Sequence, residues 1–355
     1  MILNNTMLSI HRDFKLNGKS YSKRELQLWA IERIGVSKDF IKETAAFLIH
    51  WLDETDAVVV QTSGTTGVPK EMEIAKEVMI ASAKATGTFF ELQPGSTALC
   101  CLPVKYIAGK MMLVRAMVLG WEIDLVEPSS QPLLHLNKKY DFVAMVPMQV
   151  KASLSDLHKV KTLLIGGAAV DSELSLKLIQ LRCNAFESYS MTETVTHIAL
   201  KKIGKSYFKA LPGVSLSVDV RGCLIIDAPN LKVQHLITND IVDLLCSDRF
   251  VWKGRVDNVV NSGGIKLFPE QIENKLTDLI PSRFFCMGMP DEKLGECLVL
   301  IIEGESYEIN ESIFEQFEKY EKPKYIYFID KFDETETGKI KRNVIKDYLK
   351  RKAVD

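Results

Sequence analysis

AVVVQTSGTTGVPK, residues 57 to 70, sets a short apolar run against a polar segment broken by two glycines. Ala57 to Val60 read as a buried strand, and the residues after it can turn tightly and expose several backbone N–H groups together. Thr62, Ser63, Thr65 and Thr66 add hydroxyl donors, Gly64 and Gly67 add freedom, and Lys70 adds a cation. Such a surface suits phosphate. It is not a Walker A loop, because Glu71 follows Lys70 where a serine or threonine would stand. By itself the segment also fits an ordinary polar connection.

Around it, short β-branched runs alternate with helical patterns as far as about residue 200: VVVQ at 58, TALCCL at 97, EIDLV at 122, FVAMV at 142 and TLLIGG at 162. This pattern predicts an α/β chain whose mainly parallel strands are buried on both faces and flanked by helices. Ligands bind at the carboxyl ends of such strands, where TSGTTGVPK and GGAAV are expected to sit. Ahead of them, residues 20 to 52 carry apolar positions at helical spacing and predict two amphipathic helices, the second capped by Ser37. Between 214 and 252 a period of two, with Gly222 at a turn, predicts an antiparallel, barrel-like segment. Residues 258 to 355 predict a small α+β unit: a helix from Pro269, strands FFCMGM and CLVLII, a helix over 311–320, strand YIYFI and a basic terminal helix.

The 355 residues are 46% apolar and 26% charged with a formal net charge of −1, which points to small-molecule chemistry rather than nucleic acid. Seven cysteines without a CxxC pair argue against a disulfide framework or a structural zinc site. The first residues lack the pattern of a signal peptide, and no apolar stretch reaches membrane-spanning length. A cytoplasmic protein without stable membrane insertion is expected, and homo-oligomerisation is left open.

Other segments carry candidate chemistry. In ESYSMTE, Ser188 and Tyr189 precede Thr192 and Glu193; an aromatic ring can stack on adenine, a threonine can bond a phosphate oxygen, and a carboxylate suits Mg²⁺. The same residues could simply open a helix. Gly166, Gly167 and Ala168 end a strand and would let backbone approach a flat ligand. Asp240 can accept bonds from both ribose hydroxyls, with Arg255 beside it as donor, although taken singly these residues read more simply as a solvated turn and a surface ion pair. In TETGKIKR, Lys339 follows a glycine, and a lysine among many is usually solvated.

TSGTTGVPK, YSMTE, LITND, GRVDNVVNSGGIKLFPEQIE and TETGKIKR, in this order, resemble the signatures of the adenylate-forming acyl-CoA ligases. That resemblance implies ATP, Mg²⁺ and coenzyme A as ligands, together with a carboxylic acid. It implies that the loop 62–70 holds the β and γ phosphates, Thr192 the α-phosphate, Glu193 the metal, and Asp240 with Arg255 the ribose. Gly166 to Ala168 would line the nucleotide pocket, and Gly263 with Gly264 would meet the pantetheine arm of coenzyme A. Lys339 would bridge the substrate carboxylate and the α-phosphate. A large domain, 1–256, and a small mobile domain, 257–355, would turn about a hinge at Asp257. Ser190 departs from the family's usual glycine.

LPVKYIAGKMMLVRAM, 102 to 117, is similar to the o-succinylbenzoate–CoA ligases of menaquinone synthesis, with Tyr106 where they carry histidine and Arg115 where they carry arginine. An arginine in the acyl pocket suits a dicarboxylic acid, and the plain alternative is a residue on a helix surface. Only 61 residues precede the loop, so part of the usual first subdomain is expected to be trimmed. A domain that loads a carrier protein, or a nucleotide-binding regulatory protein, would share the nucleotide residues.

Overall fold

The computed structural model describes residues 10–35, 38–61, 71–334 and 340–352. Two short strands, β1 (Lys15–Leu16) and β2 (Lys19–Ser20), lead into helices α1 (Lys23–Arg33) and α2 (Asp39–Leu52). Ser22 starts α1 with a capping box: its hydroxyl accepts from the Glu25 N–H, and the Glu25 carboxylate accepts from the Ser22 N–H. Leu26, Trp29 and Ala30 of α1, with Phe47, Leu48 and Trp51 of α2, belong to one buried cluster, as the helical spacing requires. Ser37 lies outside the described residues, and Lys38 occupies the cap position of α2.

The apolar run at 57 becomes β3 (Ala57–Gln61), but it pairs antiparallel with β4 (Glu71–Ala75) in a sheet of two strands. The expectation that it joins the parallel sheet is therefore corrected. An apolar run reveals burial, not the neighbour that supplies it. Helix α3 (Lys76–Phe90) follows, tied back by Lys76, whose buried Nζ lies 2.8 Å from Asp53 Oδ1.

The parallel strands are β5 (Thr97–Cys100), β6 (Glu122–Leu125), β7 (Tyr140–Met145), β8 (Val160–Ile165) and β9 (Ala185–Ser190). Between them run α4 (Ile107–Leu119), α5 (Pro147–Ala152) and α6 (Ser172–Gln180). Alternate residues feed two cores. Ala98, Phe142, Ala144 and Leu164 pack with α3 and α4, whereas Leu99, Val143, Leu163 and Ile165 pack with α5 and α6. This is the two-sided burial that continuous apolar strands demand.

After β9 the pairing turns antiparallel through β10 (His197–Lys202), β11 (Phe208–Ala210), β12 (Ser215–Val218), β13 (Cys223–Ala228), β14 (Val233–Cys246) and β15 (Arg249–Arg255). These strands extend the parallel ones into a single 13-stranded mixed sheet, ordered β12-β13-β14-β15-β11-β10-β9-β8-β7-β5-β6-β1-β2. The antiparallel segment is thus continuous with the main sheet.

A second sheet holds β16 (Val260–Ser262), β17 (Ile265–Leu267), β18 (Phe284–Asp291), β19 (Gly295–Glu303) and β20 (Tyr325–Ile329), with α7 (Pro269–Leu276) and α8 (Arg342–Lys352). Its two faces bury separate clusters, one around Ile272, Leu300 and Phe314 and one around Phe285, Val299 and Ile345. Only a 3-10 turn, Glu311–Phe314, forms where a helix over 311–320 was expected. Phe314, at the end of that turn, and Phe317 beyond it are both buried, a spacing of three that α and 3-10 geometry fit alike.

Candidate functional site

Because β5, β7, β8 and β9 are parallel, the segments leaving their carboxyl ends emerge on one edge of the sheet. Gly166 to Ala168 leave β8, and the turn bearing Thr192 and Glu193 follows β9. Gly166 lies against Ser188: a Cβ built on the glycine would come within 2.8 Å of the serine Oγ. Thr192 and Glu193 are exposed on a 3-10 turn, Thr192–Thr194. That turn is closed by a strained residue. Val195 has φ 67° and ψ −44°, rare for a β-branched side chain, and the Thr196 N–H donates to the Thr194 carbonyl across it at 2.7 Å.

Tyr189 and Asp240 meet. The phenol donates to Asp240 Oδ2 at 2.7 Å, and Trp252 Nε1 donates to Oδ1 at 3.1 Å. Burial, then the neighbouring carboxylate, raises the Tyr189 phenol above its ordinary range, so it remains a donor. The ring is enclosed by Phe250 and Phe208, with centroids 5.1 and 5.8 Å away, which leaves the residue 9% exposed. Each Asp240 oxygen already takes one protein donor and retains a further lone pair. Asp240→Ala would orphan a buried phenol and a partly buried indole N–H. A stability loss of about 2–4 kcal/mol is expected, read as a lower denaturant midpoint; an unchanged midpoint would contradict the pairing.

Arg255 lies opposite Asp240 in the β14–β15 register, with its side chain about half exposed and 3.4 Å from Asp257. Asp257 also accepts from Asn239 at 3.3 Å. Glu270 of α7 accepts from the Asn258 amide at 2.6 Å and from the Arg255 N–H at 3.4 Å, tying the small sheet's helix to the chain around Asp257. Gly263 and Gly264, with φ 57° and 83°, form the two-residue turn joining β16 and β17, a conformation that favours glycine at both positions. Thr62, Ser63, Gly64, Thr65, Thr66, Gly67, Lys70 and Lys339 lie outside the described residues.

Tyr106 stands at the cap of α4, partly exposed. Gly109 lets that helix start close against the segment that follows β5, since a Cβ there would sit 2.4 Å from the Pro103 carbonyl. Lys110, buried, donates to the carbonyls of Val104 at 3.0 Å and Lys105 at 2.6 Å and so fixes the segment before Tyr106.

Arg115 is not a helix-surface residue; it is 3% exposed in the middle of α4. Its Nε donates to Thr86 Oγ1 at 3.3 Å and a terminal nitrogen to Thr196 Oγ1 at 3.5 Å, while the other terminal nitrogen faces Met112 Sδ at 3.9 Å. Among the described residues no carboxylate pairs with it, and burial pulls the guanidinium down to about 10. Beside it, buried His197 is held well below its usual range, by burial first and then by Arg115. Thr86, Thr196 and His197 were not flagged in the sequence. Nothing in ATG or TVTH marks residues that converge from α3 and the start of β10 on a residue of α4.

Comparison with known proteins gives the same frame. The 2-succinylbenzoate–CoA ligase of Staphylococcus epidermidis is 26% identical over 332 residues, covering 82% of this chain and 70% of that one. The structure of an acyl-CoA synthetase (AMP-forming)/AMP-acid ligase II-like protein from Dyadobacter fermentans is 37% identical, covers 91% of this chain and 98% of its own, and superposes with a TM-score of 0.62. The o-succinylbenzoate CoA synthetase of Bacillus subtilis, in complex with the acyl-adenylate intermediate OSB-AMP, is 18% identical and shares the fold, with a TM-score of 0.74 over 95% of this chain and 96% of its own. The model of one family, the AMP-binding enzymes, matches residues 12–234, the span that carries the parallel strands, the glycine turn, the Thr192–Glu193 turn and Arg115. The chain belongs to the AMP-binding enzyme family.

Proposed function

We propose that this protein is a cytoplasmic ATP-dependent acid–CoA ligase acting on an acid with a second carboxylate, 2-succinylbenzoate, in menaquinone biosynthesis. The observation that carries this reading is Arg115: a buried guanidinium with no counter-anion among the described residues, whose charge is costly unless something negative comes to it. Its planar fork suits the carboxylate that does not react.

In the first half-reaction the other carboxylate attacks the α-phosphate of ATP and pyrophosphate leaves. In the second, the coenzyme A thiol attacks the resulting mixed anhydride and AMP leaves. Asp240, with a lone pair spare on each oxygen, would take the ribose hydroxyls, and Arg255 would donate beside it. Gly166 to Ala168, Ser188 and Tyr189 would border the base, and Thr192 would donate to the α-phosphate. Thr62, Ser63, Gly64, Thr65, Thr66, Gly67 and Lys70 would hold the outer phosphates. Glu193, a solvent-facing carboxylate on a turn, fits a Mg²⁺ ion that keeps most of its waters and is otherwise held by phosphate. That ion would supply neutralising charge. Tyr106 would border the acid.

We read the chain as two units, 1–256 and 257–355, hinged near Asp257. One orientation presents Lys339 to the adenylation step, and the other presents the Gly263–Gly264 turn to the pantetheine thiol.

The test is pyrophosphate release from Mg·ATP with 2-succinylbenzoate, benzoate, acetate and a medium-chain fatty acid. The expected result is release with 2-succinylbenzoate at least about 30-fold above benzoate, the discrimination of a carboxylate paired in a buried site. Preference for a monocarboxylic acid would sink the Arg115 reading, and no release with any acid would sink the ligase reading.

A further inference from the structure

We propose that His197 is a positioning residue: as a neutral imidazole protonated at Nε2, it locks the two threonine hydroxyls that aim Arg115 at the substrate's second carboxylate. The inference rests on the reading of Arg115 given above and goes beyond it by assigning the group that holds the guanidinium in place.

Hydroxyl bookkeeping carries the argument. Thr86 Oγ1 donates its single proton to the Ser82 carbonyl one turn back in α3, at 3.0 Å. It can therefore only accept from its other neighbours, which are Arg115 Nε at 3.3 Å and His197 Nε2 at 3.2 Å. His197 Nε2 must then carry a proton. Thr196 Oγ1 lies 3.3 Å from His197 Nδ1 and accepts from Arg115 at 3.5 Å, so its own proton goes to Nδ1, which must be the bare nitrogen. This arrangement gives both threonine hydroxyls and both imidazole nitrogens a partner. A protonated imidazole would have two donors and would break it.

This has a consequence for charge. A neutral histidine between two hydroxyls orients Arg115 without neutralising it, whereas an aspartate or glutamate in that place would hold it equally well and quench it. Two guanidinium N–H groups, one on each terminal nitrogen, remain after the bonds to Thr86 and Thr196 and the contact with Met112 are counted. Those are the atoms a carboxylate fork would meet. Thr196 also stands directly after the strained Val195, so the same chain segment that carries Glu193 carries one wall of this ring.

The test compares kcat/KM for 2-succinylbenzoate with kcat/KM for benzoate in wild type, His197→Phe, His197→Gln, Arg115→Met and the Arg115→Met/His197→Phe double variant. Phenylalanine keeps the ring and removes both nitrogens; glutamine keeps one donor and one acceptor. Misplacing a binding group is costly, so His197→Phe is expected to lower the ratio of the two acids about 10-fold or more, through KM, and His197→Gln to restore most of it. The double variant is expected to show no loss of ratio beyond Arg115→Met alone. An equal fall for both acids, or a further loss in the double variant, would make His197 a packing residue and overturn the proposal. An unaltered ratio in Arg115→Met would instead overturn the reading on which it rests. Should the variants fail to fold, nitrogen NMR of histidine-labelled wild-type protein decides: an Nε2–H tautomer is expected for His197, and an Nδ1–H tautomer or an imidazolium contradicts it.

Discussion

Arg115→Met is expected to lose activity on 2-succinylbenzoate while keeping, or gaining, stability. Removing one partner of a buried charge pair costs about 2–5 kcal/mol, so kcat/KM should fall roughly 30- to 5,000-fold, because the substrate carboxylate would enter the pocket unpaired. Without substrate the balance is different. The guanidinium is buried with hydroxyls and a thioether for company, and an unbranched apolar chain of similar length removes that desolvation cost. Thr86 would still have the Ser82 carbonyl and His197, so no hydroxyl is orphaned. A thermal midpoint that holds or rises alongside the lost activity would mark a residue kept for binding rather than for folding. A large drop in midpoint together with an unchanged acid preference would mark a structural arginine.

Lys339→Ala is expected to abolish adenylation and leave thioester formation from supplied acyl-adenylate largely intact. The first half-reaction brings a carboxylate up to a phosphate, and two unit charges ~4 Å apart repel by about 4 kcal/mol at an effective dielectric of ~20. A cation between them offsets that, and removing one such positioned group typically costs about 10²–10³ in rate. The second half-reaction has a thiol as nucleophile and does not need that bridge. Equal losses in both halves, measured by pyrophosphate release and by thioester formation separately, would contradict the proposed division of labour between two orientations of residues 257–355.

The parts of this molecule that could be read from sequence are those governed by local pattern. The runs at 97, 122, 142 and 162 are strands because β-branched residues at those lengths bury on both faces, α1 and α2 follow from their apolar spacing, and α7 from the proline at its first turn. The partner of an apolar run is a tertiary fact, which is why Ala57–Gln61 proved to be half of a hairpin. The helix expected over 311–320 is only a 3-10 turn, because buried residues three apart, Phe314 and Phe317, fit either geometry and the pattern could not separate them. In the site, the roles given to Asp240 and Gly166 rested on residue chemistry and resemblance, and the structure sets those residues beside Tyr189 and Ser188. Whether Arg115 faced solvent or core was open in the sequence, because an arginine flanked by apolar residues in a helix fits either; the packing of α3 against α4 and the start of β10 decide it. His197 carried no signal at all, since its significance is the proton count of two hydroxyls from distant elements.

The most direct measurement is identification of products by mass spectrometry after incubating the protein with Mg·ATP, coenzyme A and 2-succinylbenzoate. A coenzyme A thioester of the acid, formed in step with AMP and pyrophosphate and absent when coenzyme A is omitted, is the predicted result. ATP left intact with this acid and with the monocarboxylic panel would contradict the account.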